Sequence, residues 1–579
     1  MPRRVIIVGG IAGGMSAATR LRRLESDAEI TVIERSAHVS YANCGLPYFI
    51  GGVIEDEEDL LLQTPSTLHD RFRLDVRVDC EVVDIDAAAR TVTTRSTIDA
   101  TQHVLSYDQL LLSPGATSLR PPIPGIEHVR SLRTVEDAEA LAEIVSQHPR
   151  TAVVIGAGFI GLETAENLSR AGVGVTVVEA APQVLTPLDA ELAVLVLEEL
   201  RAHGISVEVG VGVAEIAENG VVLATGRTID ADLVVGAIGV RPDIRLAEMA
   251  GLAIGPLGGI DVDDAYQTSD PNIYAVGDAV EKTDAVNAAT SLVALANIAN
   301  RQGRRAADHI AGRAARPAPA LGTAIVKVFD LVVAMTGWSE RRLRTAGIPY
   351  RAVHSHPFNH ATYYPGATRL AMKLLFNPDD GRILGAQAIG REGVDKRIDV
   401  IATAISGGIT ADGLADLELA YAPPFSSAKD PVNMLGYMAE NVLSGDCDVV
   451  EPSEVNELVA SGWRLLDVRT EREHAAGAIP GSRNVPVDRL REGLADLGLG
   501  PFLVYCEVGQ RGHTATALLQ DVGLKARNLD GGYATWDAAR RALEVATATA
   551  PNAITRDRTD VPARRERDSI AAAVLTRGP

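Results

Sequence analysis

Short apolar runs that end in glycine-rich turns recur along the chain. Val5–Val8 is one such run, and residues 151–155 form another. Both are rich in valine and isoleucine, and each leads through its turn into a segment with helical spacing. A strand, a glycine turn and a helix in this order predict a parallel sheet with helices packed on it. The first half of the chain is therefore predicted to be α/β.

The first turn, residues 9–14, reads Gly-Gly-Ile-Ala-Gly-Gly and precedes a helix predicted from Met15 to Leu24. Glycines there let a pyrophosphate approach backbone amides at a helix N-terminus, where the helix dipole favours negative charge. Ile11 stands where the usual pattern has its second glycine. Glu34 ends the next predicted strand at the spacing expected for a ribose hydroxyl partner. A dinucleotide site is predicted at this turn.

The second turn follows residues 151–155 and carries the full Gly-x-Gly-x-x-Gly pattern. The next strand ends in Glu179, whose carboxylate would bond a free ribose 2'-hydroxyl and repel a 2'-phosphate. No arginine follows directly, so NADH is predicted as the cofactor, with NADPH as the second choice. The residues predicted to hold it are Gly156, Gly158, Phe159, Ile160, Gly161, Glu163, Glu179 and Gly239.

Two such turns in one chain imply two dinucleotides. A later segment, residues 268–278, ends a strand in a Gly-Asp pair suited to hydrogen-bonding the ribityl chain of a flavin. The first cofactor is therefore predicted to be FAD. The residues predicted to hold it are Gly9, Ile11, Ala12, Gly13, Gly14, Glu34, Arg35, Ser113, Pro114, Gly115, Gly277 and Asp278.

Length, charge and cysteine content narrow the class of protein. A chain of 579 residues is too long for one hydrophobic core and predicts three or four domains. The formal net charge of -21 argues against a general nucleic-acid binder, and no apolar run is long enough to span a bilayer. The four cysteines, Cys44, Cys80, Cys447 and Cys506, are far apart. Their spacing fits neither a disulfide framework nor a metal site, so a reducing, cytoplasmic compartment is predicted.

Cys44 lies between the two predicted cofactor turns, in the sequence Ser-Tyr-Ala-Asn-Cys-Gly-Leu-Pro. A second cysteine five residues later would make a redox disulfide, but that position is Phe49. A lone thiolate beside a flavin can attack a disulfide sulfur and form a mixed disulfide. Cys44 is therefore predicted to be redox-active by itself. The alternative is a buried cysteine that acts only as a small hydrophobe.

The two turns, the segments 113–116 and 236–239 and the later Gly-Asp pair resemble the pyridine nucleotide-disulfide oxidoreductases over residues 1–445. The Ser-aromatic-x-x-Cys pattern around Cys44 resembles the coenzyme A-disulfide reductase branch, whose single cysteine alternates between a thiolate and a mixed disulfide with coenzyme A. The resemblance implies a homodimer and coenzyme A as substrate or tightly bound cofactor. The residues that it implies for coenzyme A are Ser16, Arg20, Arg23, Ser40, Asn43 and Lys429. A solvated helix face is the alternative for the two arginines.

Double-cysteine members of this family end with a His-Pro-Thr-x-x-Glu segment, where this chain has Ala-Tyr-Ala-Pro-Pro at residues 420–424. The resemblance implies that Tyr421, and Tyr363 from a Tyr-Tyr-Pro-Gly segment, reach the active site of the other subunit. A phenol there could protonate a departing thiolate. Tyr364 is the alternative to Tyr363, and either ring could be an interface aromatic instead.

A different pattern begins after residue 446. The segments 464–469 and 473–486, a strand that delivers Cys506, and the segment 529–536 follow in order and resemble a rhodanese domain. A loop of backbone amides with Arg511 nearby would stabilise a thiolate or persulfide on this cysteine. The loop predicted to carry the sulfur is Cys506, Glu507, Val508, Gly509, Gln510 and Arg511. A module without catalysis, used only for contacts, is the alternative.

The chain is predicted to be an α/β protein with two Rossmann-like domains, an α+β dimerisation domain and a C-terminal α/β rhodanese domain. The predicted boundaries are 1–115 with 245–325 for FAD, 116–244 for NAD(P)H, 326–445 for dimerisation, 446–545 for rhodanese and 546–579 for a disordered tail. The predicted activity is the reduction of coenzyme A disulfide or persulfide by NADH, through FAD and Cys44. Cys80 and Cys447 are assigned structural roles.

Two other functions stay open at this point. A single-cysteine NADH oxidase or peroxidase would cycle Cys44 through a sulfenic acid. Ala12 stands where peroxidases of this type carry a histidine, which disfavours peroxide reduction. A redox-sensing or sulfur-delivery protein is the alternative outside enzymology.

Overall fold

The first sheet of the computed structural model, which describes residues 2–548, grows from the opening glycine turn. The elements up to residue 112 are β1 (Arg4–Val8), α1 (Ala12–Leu24), β2 (Glu29–Ile33), α2 (Leu46–Ile50), α3 (Pro65–Phe72), β3 (Asp75–Arg77), β4 (Cys80–Asp86), β5 (Thr91–Ser96), β6 (Gln102–Ser106) and β7 (Gln109–Leu112). The last four residues of β1 are buried. Both faces of such a central parallel strand are covered, which explains its unbroken run of valine and isoleucine.

Helix α1 begins at Ala12, so the predicted start at Met15 is corrected. The chain already turns at Gly9, whose φ is +101°. A Cβ on Gly14 would lie 1.9 Å from the carbonyl oxygen of Gly9. Glycine therefore serves the first turn of the helix itself, because any side chain there would collide with the end of β1.

A second parallel sheet lies in the next part of the chain. Its elements and those around it are β8 (Ala116–Ser118), α4 (Val135–Ser146), β9 (Thr151–Ile155), α5 (Phe159–Arg170), β10 (Gly174–Glu179), α6 (Ala190–Ala202), β11 (Ser206–Val209), β12 (Val213–Ala217), β13 (Gly220–Leu223), β14 (Thr228–Asp230), β15 (Leu233–Gly236) and β16 (Val240–Pro242). The parallel strands run in the order β11-β10-β9-β15, and β12, β13 and β14 form a separate antiparallel sheet.

The chain then returns to the first sheet. The elements are α7 (Arg245–Met249), β17 (Ile273–Ala275), β18 (Lys282–Thr283), β19 (Thr290–Ser291) and α8 (Ala296–Ile310). Strand β17 pairs with β7 in parallel and completes the order β17-β7-β1-β2-β3. Helix α8 packs closely on α1, since a Cβ on Gly303 would lie 2.0 Å from the carbonyl oxygen of Gly13. The first domain is thus assembled from two separate stretches of sequence.

An antiparallel sheet covered by helices follows. The elements are β20 (Ala324–Val328), β21 (Leu331–Gly337), α9 (Glu340–Ala346), β22 (Arg351–Ser355), β23 (Ala371–Phe376), β24 (Ile383–Gly390), α10 (Val394–Gly407) and α11 (Pro431–Leu443). The strand order is β20-β21-β24-β23-β22. Every residue of β23 and β24 is buried, because the sheet is covered on both faces.

The last sheet is parallel again. Its elements are β25 (Val449–Val450), α12 (Val455–Ala460), β26 (Arg464–Asp467), α13 (Glu471–Ala476), β27 (Arg483–Asn484), α14 (Leu490–Leu497), β28 (Phe502–Tyr505), α15 (Gln510–Asp521), β29 (Ala526–Leu529) and α16 (Gly532–Ala548). The order is β25-β29-β28-β26-β27, with β28 in the centre. Short one-turn 3-10 helices occur at Asn43–Gly45, Glu57–Leu60, Ile126–His128, Gly277–Ala279, Asp412–Asp416, Pro452–Glu454 and Val487–Arg489.

The predicted fold class is confirmed: two parallel sheets with glycine turns, an α+β unit and a C-terminal parallel α/β unit. The exact domain boundaries stay predictions. Residues 546–548, predicted as the start of the tail, continue α16, while residues 549–579 lie outside the described residues. Within residues 2–548, no helix is both long and apolar enough to cross a membrane.

Candidate functional site

A cavity of about 720 Å³ opens where the strands of the first sheet end. Gly14 alone of the predicted FAD residues lies outside its lining, packed beneath the turn. The others line it: Gly9, Ile11, Ala12, Gly13, Glu34, Arg35, Ser113, Pro114, Gly115, Gly277 and Asp278. The fold thus gathers residues from both stretches of the first domain around one space.

The shape of this cavity fits a dinucleotide. A Cβ on Gly13 would lie 2.9 Å from Ser113 Oγ, so glycine lets the start of α1 pack closely on the wall of this cavity. The Glu34 carboxylate accepts a hydrogen bond of 2.7 Å from the amide of Gly10 and stands at the end of β2, as a ribose partner would. Burial raises the pKa of Asp278 at the far wall. These features fit FAD, whose ribityl hydroxyls could hydrogen-bond this carboxyl group.

Several residues on the cavity wall were missed by the sequence analysis. Arg133 and Glu136 come from the segment around the start of α4, outside both glycine turns. Glu136 accepts a hydrogen bond of 2.7 Å from Ser36 Oγ, and Cys80 also lines the cavity. No local motif marks Arg133 and Glu136, because they reach the cavity only through the packing of two domains, while Cys80 reaches it from the start of β4 in the first domain.

Cys44 lies in the 3-10 turn that precedes α2 and is exposed. Its neighbour Asn43 lines the cavity of the first domain, and the Cys44 Sγ lies 3.7 Å from Asn43 Oδ1. Partial desolvation raises the pKa of the Cys44 thiol, and the carboxylates of Glu163 and Asp278 add to the effect. The chain's own groups therefore favour the protonated thiol over the thiolate.

The three glycines of the second turn have different surroundings. A Cβ on Gly156 would lie 2.4 Å from the carbonyl oxygen of Ala237, and one on Gly161 would lie 2.0 Å from that of Gly156. Gly158 has no protein atom within 4 Å of such a Cβ. Packing explains the first and third glycines, while the second leaves open space where a pyrophosphate would approach.

Glu179 and a small apolar pocket both lie close to the second turn. Glu179 ends β10 and accepts a hydrogen bond of 2.7 Å from the amide of Ala157 in the second turn. An apolar pocket of about 280 Å³ lies beside this turn, and its lining includes Arg120, Ile155 and Ile238. No local motif predicts this pocket, since its walls come from several connections.

Glu163 faces the Cys44 region. The Tyr48 hydroxyl, one helical turn beyond Cys44, donates a hydrogen bond of 3.1 Å to the Glu163 carboxylate. Burial raises the pKa of Glu163 to about 7.

The remaining residues predicted for NAD(P)H lie at two positions. Phe159 is half-buried and Ile160 exposed at the start of α5, while Gly239 has a φ of +101°.

The residues implied for coenzyme A on α1 are partly engaged with α8. Arg20 forms an ion pair of 2.6 Å with Asp308, so its charge is compensated within the chain. Ser16 Oγ donates a hydrogen bond of 2.6 Å to Asn300 Oδ1, while Arg23 is exposed. Of the two arginines, Arg23 is thus the one whose charge has no carboxylate partner among the described ion pairs.

The remaining coenzyme A residues lie in two regions. Asn43 begins the Cys44 turn, and Ser40 precedes it with a left-handed backbone of φ +53°. Lys429 is exposed in the dimerisation domain, with its ammonium 5.9 Å from the centre of the Tyr437 ring. Within one chain, no described hydrogen bond or ion pair connects Lys429 with Cys44.

Tyr363 and Tyr421 lie side by side on an exposed face. Their side chains belong to residues that are 73% and 48% exposed, and their hydroxyls share a hydrogen bond of 2.8 Å. This hydrogen bond raises the pKa of Tyr363. Tyr364 instead packs edge-on against His360, with ring centres 5.6 Å apart. The pairing with Tyr421 favours Tyr363 over Tyr364.

The predicted sulfur loop connects β28 to α15. Cys506 is fully buried, and Gly509 takes a φ of +93° that lets the loop close. The Arg511 guanidinium donates two hydrogen bonds to the Glu473 carboxylate, of 2.8 and 2.6 Å. The positive charge expected near Cys506 is therefore shared with a carboxylate. On the other side of the loop, Glu507 pairs with Arg469 at 3.0 Å.

Three family descriptions match consecutive parts of the chain. Residues 3–303 match the description "Pyridine nucleotide-disulphide oxidoreductase", and residues 323–431 match the dimerisation domain of the same family. Residues 451–539 match the rhodanese-like domain. The chain belongs to the pyridine nucleotide-disulphide oxidoreductase family and carries a rhodanese-like domain after it. Family membership implies FAD and NAD(P)H as cofactors and fits a homodimer.

Curated relatives cover the flavoprotein part. A coenzyme A disulfide reductase of Staphylococcus haemolyticus is 35% identical over 442 residues, which cover 76% of this chain and 100% of that protein. An NADH oxidase of Methanocaldococcus jannaschii is 36% identical over 448 residues, which cover 76% of this chain and 99% of that protein.

Solved structures extend the likeness to the C-terminal domain. Reduced Bacillus anthracis CoADR-RHD is 45% identical, with a TM-score of 0.92 over 93% of this chain and 99% of that one. A NAD-dependent persulfide reductase from A. fulgidus is 38% identical, with a TM-score of 0.86 over 92% of this chain and 100% of that one. The whole described architecture, including the rhodanese-like domain, therefore recurs in these proteins.

Proposed function

We propose that this chain is an FAD-dependent reductase that uses NADH to reduce coenzyme A disulfide or coenzyme A persulfide. The observation that carries the proposal is the position of Cys44, the one exposed thiol among the four cysteines, on the turn beside the 720 Å³ cavity. The names of relatives, a coenzyme A disulfide reductase and a NAD-dependent persulfide reductase, support this substrate class.

Cys44 would bind the sulfur substrate covalently. Its thiolate attacks one sulfur of the disulfide, a coenzyme A thiolate leaves, and a mixed disulfide forms on Cys44. FAD, when bound by the residues of the first cavity, would pass two electrons from NADH to this sulfur bond. With a persulfide substrate the products are coenzyme A thiol and hydrogen sulfide. Exposure of Cys44 gives a bulky substrate the access that this attack needs.

Protons for the leaving thiolates would come from the Tyr363 and Tyr421 pair. In a homodimer, this exposed face would be covered by the second subunit, and the two phenols would reach that subunit's cavity. Their shared hydrogen bond lets one hydroxyl donate while the other refills it. Two exposed, mutually bonded tyrosines on one face support a shared active site.

The rhodanese domain would carry sulfane sulfur as a persulfide on Cys506. Its loop places Cys506 just before the N-terminus of the 12-residue helix α15, where the helix dipole stabilises negative charge. A fused sulfur carrier favours the persulfide as a natural substrate. We include transfer between this domain and the reductase centre in the proposal, with the direction to be measured.

Anaerobic oxidation of NADH by the purified holoenzyme tests the reductase. We expect rapid turnover with coenzyme A disulfide and with coenzyme A persulfide, at a kcat of about 1–1,000 per second, and at least about 100-fold slower turnover with hydrogen peroxide. The electron balance is checked by counting one coenzyme A thiol and one sulfide per NADH oxidised with the persulfide, and two coenzyme A thiols per NADH oxidised with the disulfide. Turnover confined to hydrogen peroxide or oxygen contradicts the proposal.

An NADH oxidase is the second candidate, favoured by the Methanocaldococcus jannaschii relative of that name. Oxygen reduction would also use Cys44, through a sulfenic acid. The first helix of the chain begins with Ala12 on the cavity wall, so this position supplies no acid or base for peroxide. Oxygen consumption in air that exceeds the anaerobic rate with coenzyme A substrates would establish this alternative.

Glu179 is expected to set the preference for NADH. The amides of Ala157 and Ala181 each donate to a different oxygen of the Glu179 carboxylate, so in Glu179→Gln the single amide oxygen keeps one of these hydrogen bonds, and the negative charge that repels a 2'-phosphate is lost. We expect the ratio of kcat/KM for NADPH to that for NADH to rise by about tenfold, since one charge at short range is worth about 1 kcal/mol or more. Steady-state kinetics with both cofactors measures it. Glu208→Gln on neighbouring β11 is the control, and an equal shift there would refute the assignment.

Tyr421 is expected to speed the release of the thiolate. Tyr421→Phe removes one hydroxyl from the exposed pair and should lower kcat with coenzyme A disulfide by about 10- to 100-fold. Rapid reduction of the bound flavin by NADH, followed by stopped-flow absorbance, should change little. Tyr364→Phe is the matched control, because its ring lies next to the pair without sharing its hydrogen bond. A larger loss in Tyr364→Phe would transfer the role to that residue.

A further inference from the structure

A buried cluster of charges joins the rhodanese domain to the rest of the chain. It lies where the start of α6, the antiparallel sheet with α9, and the loop after β29 meet. Each member is buried or has a side chain no more than 14% exposed. The members are Asp189, Glu191, Glu340, His354, Lys373 and Asp530. None of the proposed reductase or sulfur-transfer steps uses them.

His354, on β22 of the dimerisation domain, contacts carboxylates of two other domains. Its Nδ1 lies 2.6 Å from the carboxylate of Asp530, and its backbone amide donates a second hydrogen bond of 2.9 Å to the same group. Its Nε2 lies 3.1 Å from the carboxylate of Glu191 on α6. Both ring nitrogens therefore face carboxylates, which is the arrangement that an imidazolium prefers.

Lys373 completes the cluster from the neighbouring strand β23. Its ammonium contacts Glu191 at 2.6 Å, Glu340 at 2.8 Å and Asp189 at 3.0 Å. Each buried charge thus has a partner of opposite sign. Removal of one member would leave a buried charge without a partner. This destabilises the fold far more than replacing the whole cluster with apolar side chains would.

The segment that holds Asp530 also supports the sulfur loop. Three residues further on, the amide of Tyr533 donates a hydrogen bond of 2.8 Å to the carbonyl oxygen of Cys506. A Cβ on Gly532 would lie 2.5 Å from that same oxygen, so the two segments are in direct contact. A Cβ on Gly531 would lie 2.8 Å from His354 Cβ. His354, this glycine-rich segment and the sulfur loop are therefore packed as consecutive layers.

We propose that His354 is a positioning residue for the rhodanese sulfur loop and holds it, through Asp530, in one orientation to the flavoprotein part. The inference rests on the proposed role of Cys506 in sulfur transfer. A residue of the dimerisation domain would thereby complete the site of another domain. The rhodanese domain would act as a fixed module, and delivery of sulfur would not involve its swinging on a flexible tether.

The cluster gives this positioning a pH dependence. Burial opposes protonation of His354, but Asp530 and Glu191 outweigh it and raise its pKa to about 10. The ion pairs of the His354 imidazolium stabilise the folded cluster in full below pH 6.5, the ordinary pKa of a histidine. This stabilisation is lost as the pH rises through about 10. Lys373 stays charged over this range, since its pKa is raised well above 10.5.

Other titrating groups face the same region. Burial and Glu340 raise the pKa of Glu451 to about 7, so it adds a negative charge beside the two cations near neutral pH. Burial and the charge of His354 lower the pKa of His356 to about 3, so it stays neutral. Between pH 8 and 10, His354 is then the group of this cluster that changes charge.

Hydrogen exchange on the holoenzyme, followed by mass spectrometry, tests the proposal without substrate turnover. In His354→Gln, we expect exchange at residues 526–535 to rise by about 100-fold or more, because Asp530 and Glu191 lose their shared cation. The control is Arg541→Gln, which removes a partly exposed contact to Glu198 across the same boundary and should change exchange less than about threefold. Equal effects in the two variants would overturn the proposal.

Two further measurements separate positioning from general stability. In His354→Gln, thiosulfate:cyanide sulfurtransfer should lose about tenfold in kcat with KM changed less than threefold, while Cys506→Ser should lose it altogether. In the wild type, exchange at residues 526–535, corrected for its intrinsic rate, should rise between pH 8 and 10 relative to the sheet of the first domain. If the variant does not fold, this pH series decides, and a flat profile refutes the role of His354.

Discussion

Cys44→Ser is expected to lower NADH oxidation with coenzyme A disulfide by about a thousandfold or more while FAD stays bound. A serine hydroxyl cannot form the mixed disulfide, and its oxygen is a far weaker nucleophile than a thiolate at neutral pH. None of the other three cysteines is exposed. The measurement is anaerobic NADH oxidation, with FAD content read from the visible spectrum of the purified protein.

The control is Cys80→Ser, which changes the other cysteine that lines the cavity of the first domain. We expect Cys80→Ser to keep kcat within about threefold of the wild type. The Cys80 thiol is half-buried, so a large substrate cannot reach it readily. Retention of full activity in Cys44→Ser would sink the proposed function. Loss of FAD in that variant would instead show that the turn at residues 43–45 serves cofactor binding.

Cys506→Ser is expected to abolish sulfur transfer by the rhodanese domain, with a loss of about a thousandfold or more in thiosulfate:cyanide sulfurtransfer. The persulfide can form only on sulfur, and the loop around Cys506 is built by the left-handed Gly509 and the helix that follows it. Mass spectrometry of the intact protein should show one added sulfur in the wild type after thiosulfate, and none in the variant.

Cys447→Ser is the matched control for that experiment. Cys447 is also buried near the rhodanese domain, but burial raises the pKa of its thiol to about 11, so it is a poor nucleophile at neutral pH. We expect sulfurtransfer within about threefold of the wild type. If the added sulfur disappears from Cys447→Ser and stays in Cys506→Ser, the sulfur carrier has been assigned to the wrong cysteine.

The local patterns of the sequence predicted most of the fold correctly, and the two glycine turns show why. Gly9, Gly156 and Gly161 occupy positions where a Cβ would lie 2.0–2.4 Å from a backbone oxygen. These close contacts join residues that are near in sequence or that lie at the ends of neighbouring strands. The glycines they require therefore recur at a spacing that can be recognised in the sequence. The same holds for the rhodanese loop, where Gly509 marks the left-handed turn. The start of α1 was misplaced because Gly13 and Gly14 are glycines of a helix and not of the turn.

The sequence by itself determined the glycine turns, the lone Cys44, the strand that carries Cys506 and hence the order of the domains. These depend on neighbours within a few residues. Only the tertiary structure decided that Arg20 pairs with Asp308, that Tyr363 meets Tyr421, and that His354 meets Asp530. These pairs join residues 288, 58 and 176 positions apart. No local spacing records such a contact, because it is the packing of whole sheets and helices that brings the two charges or hydroxyls together.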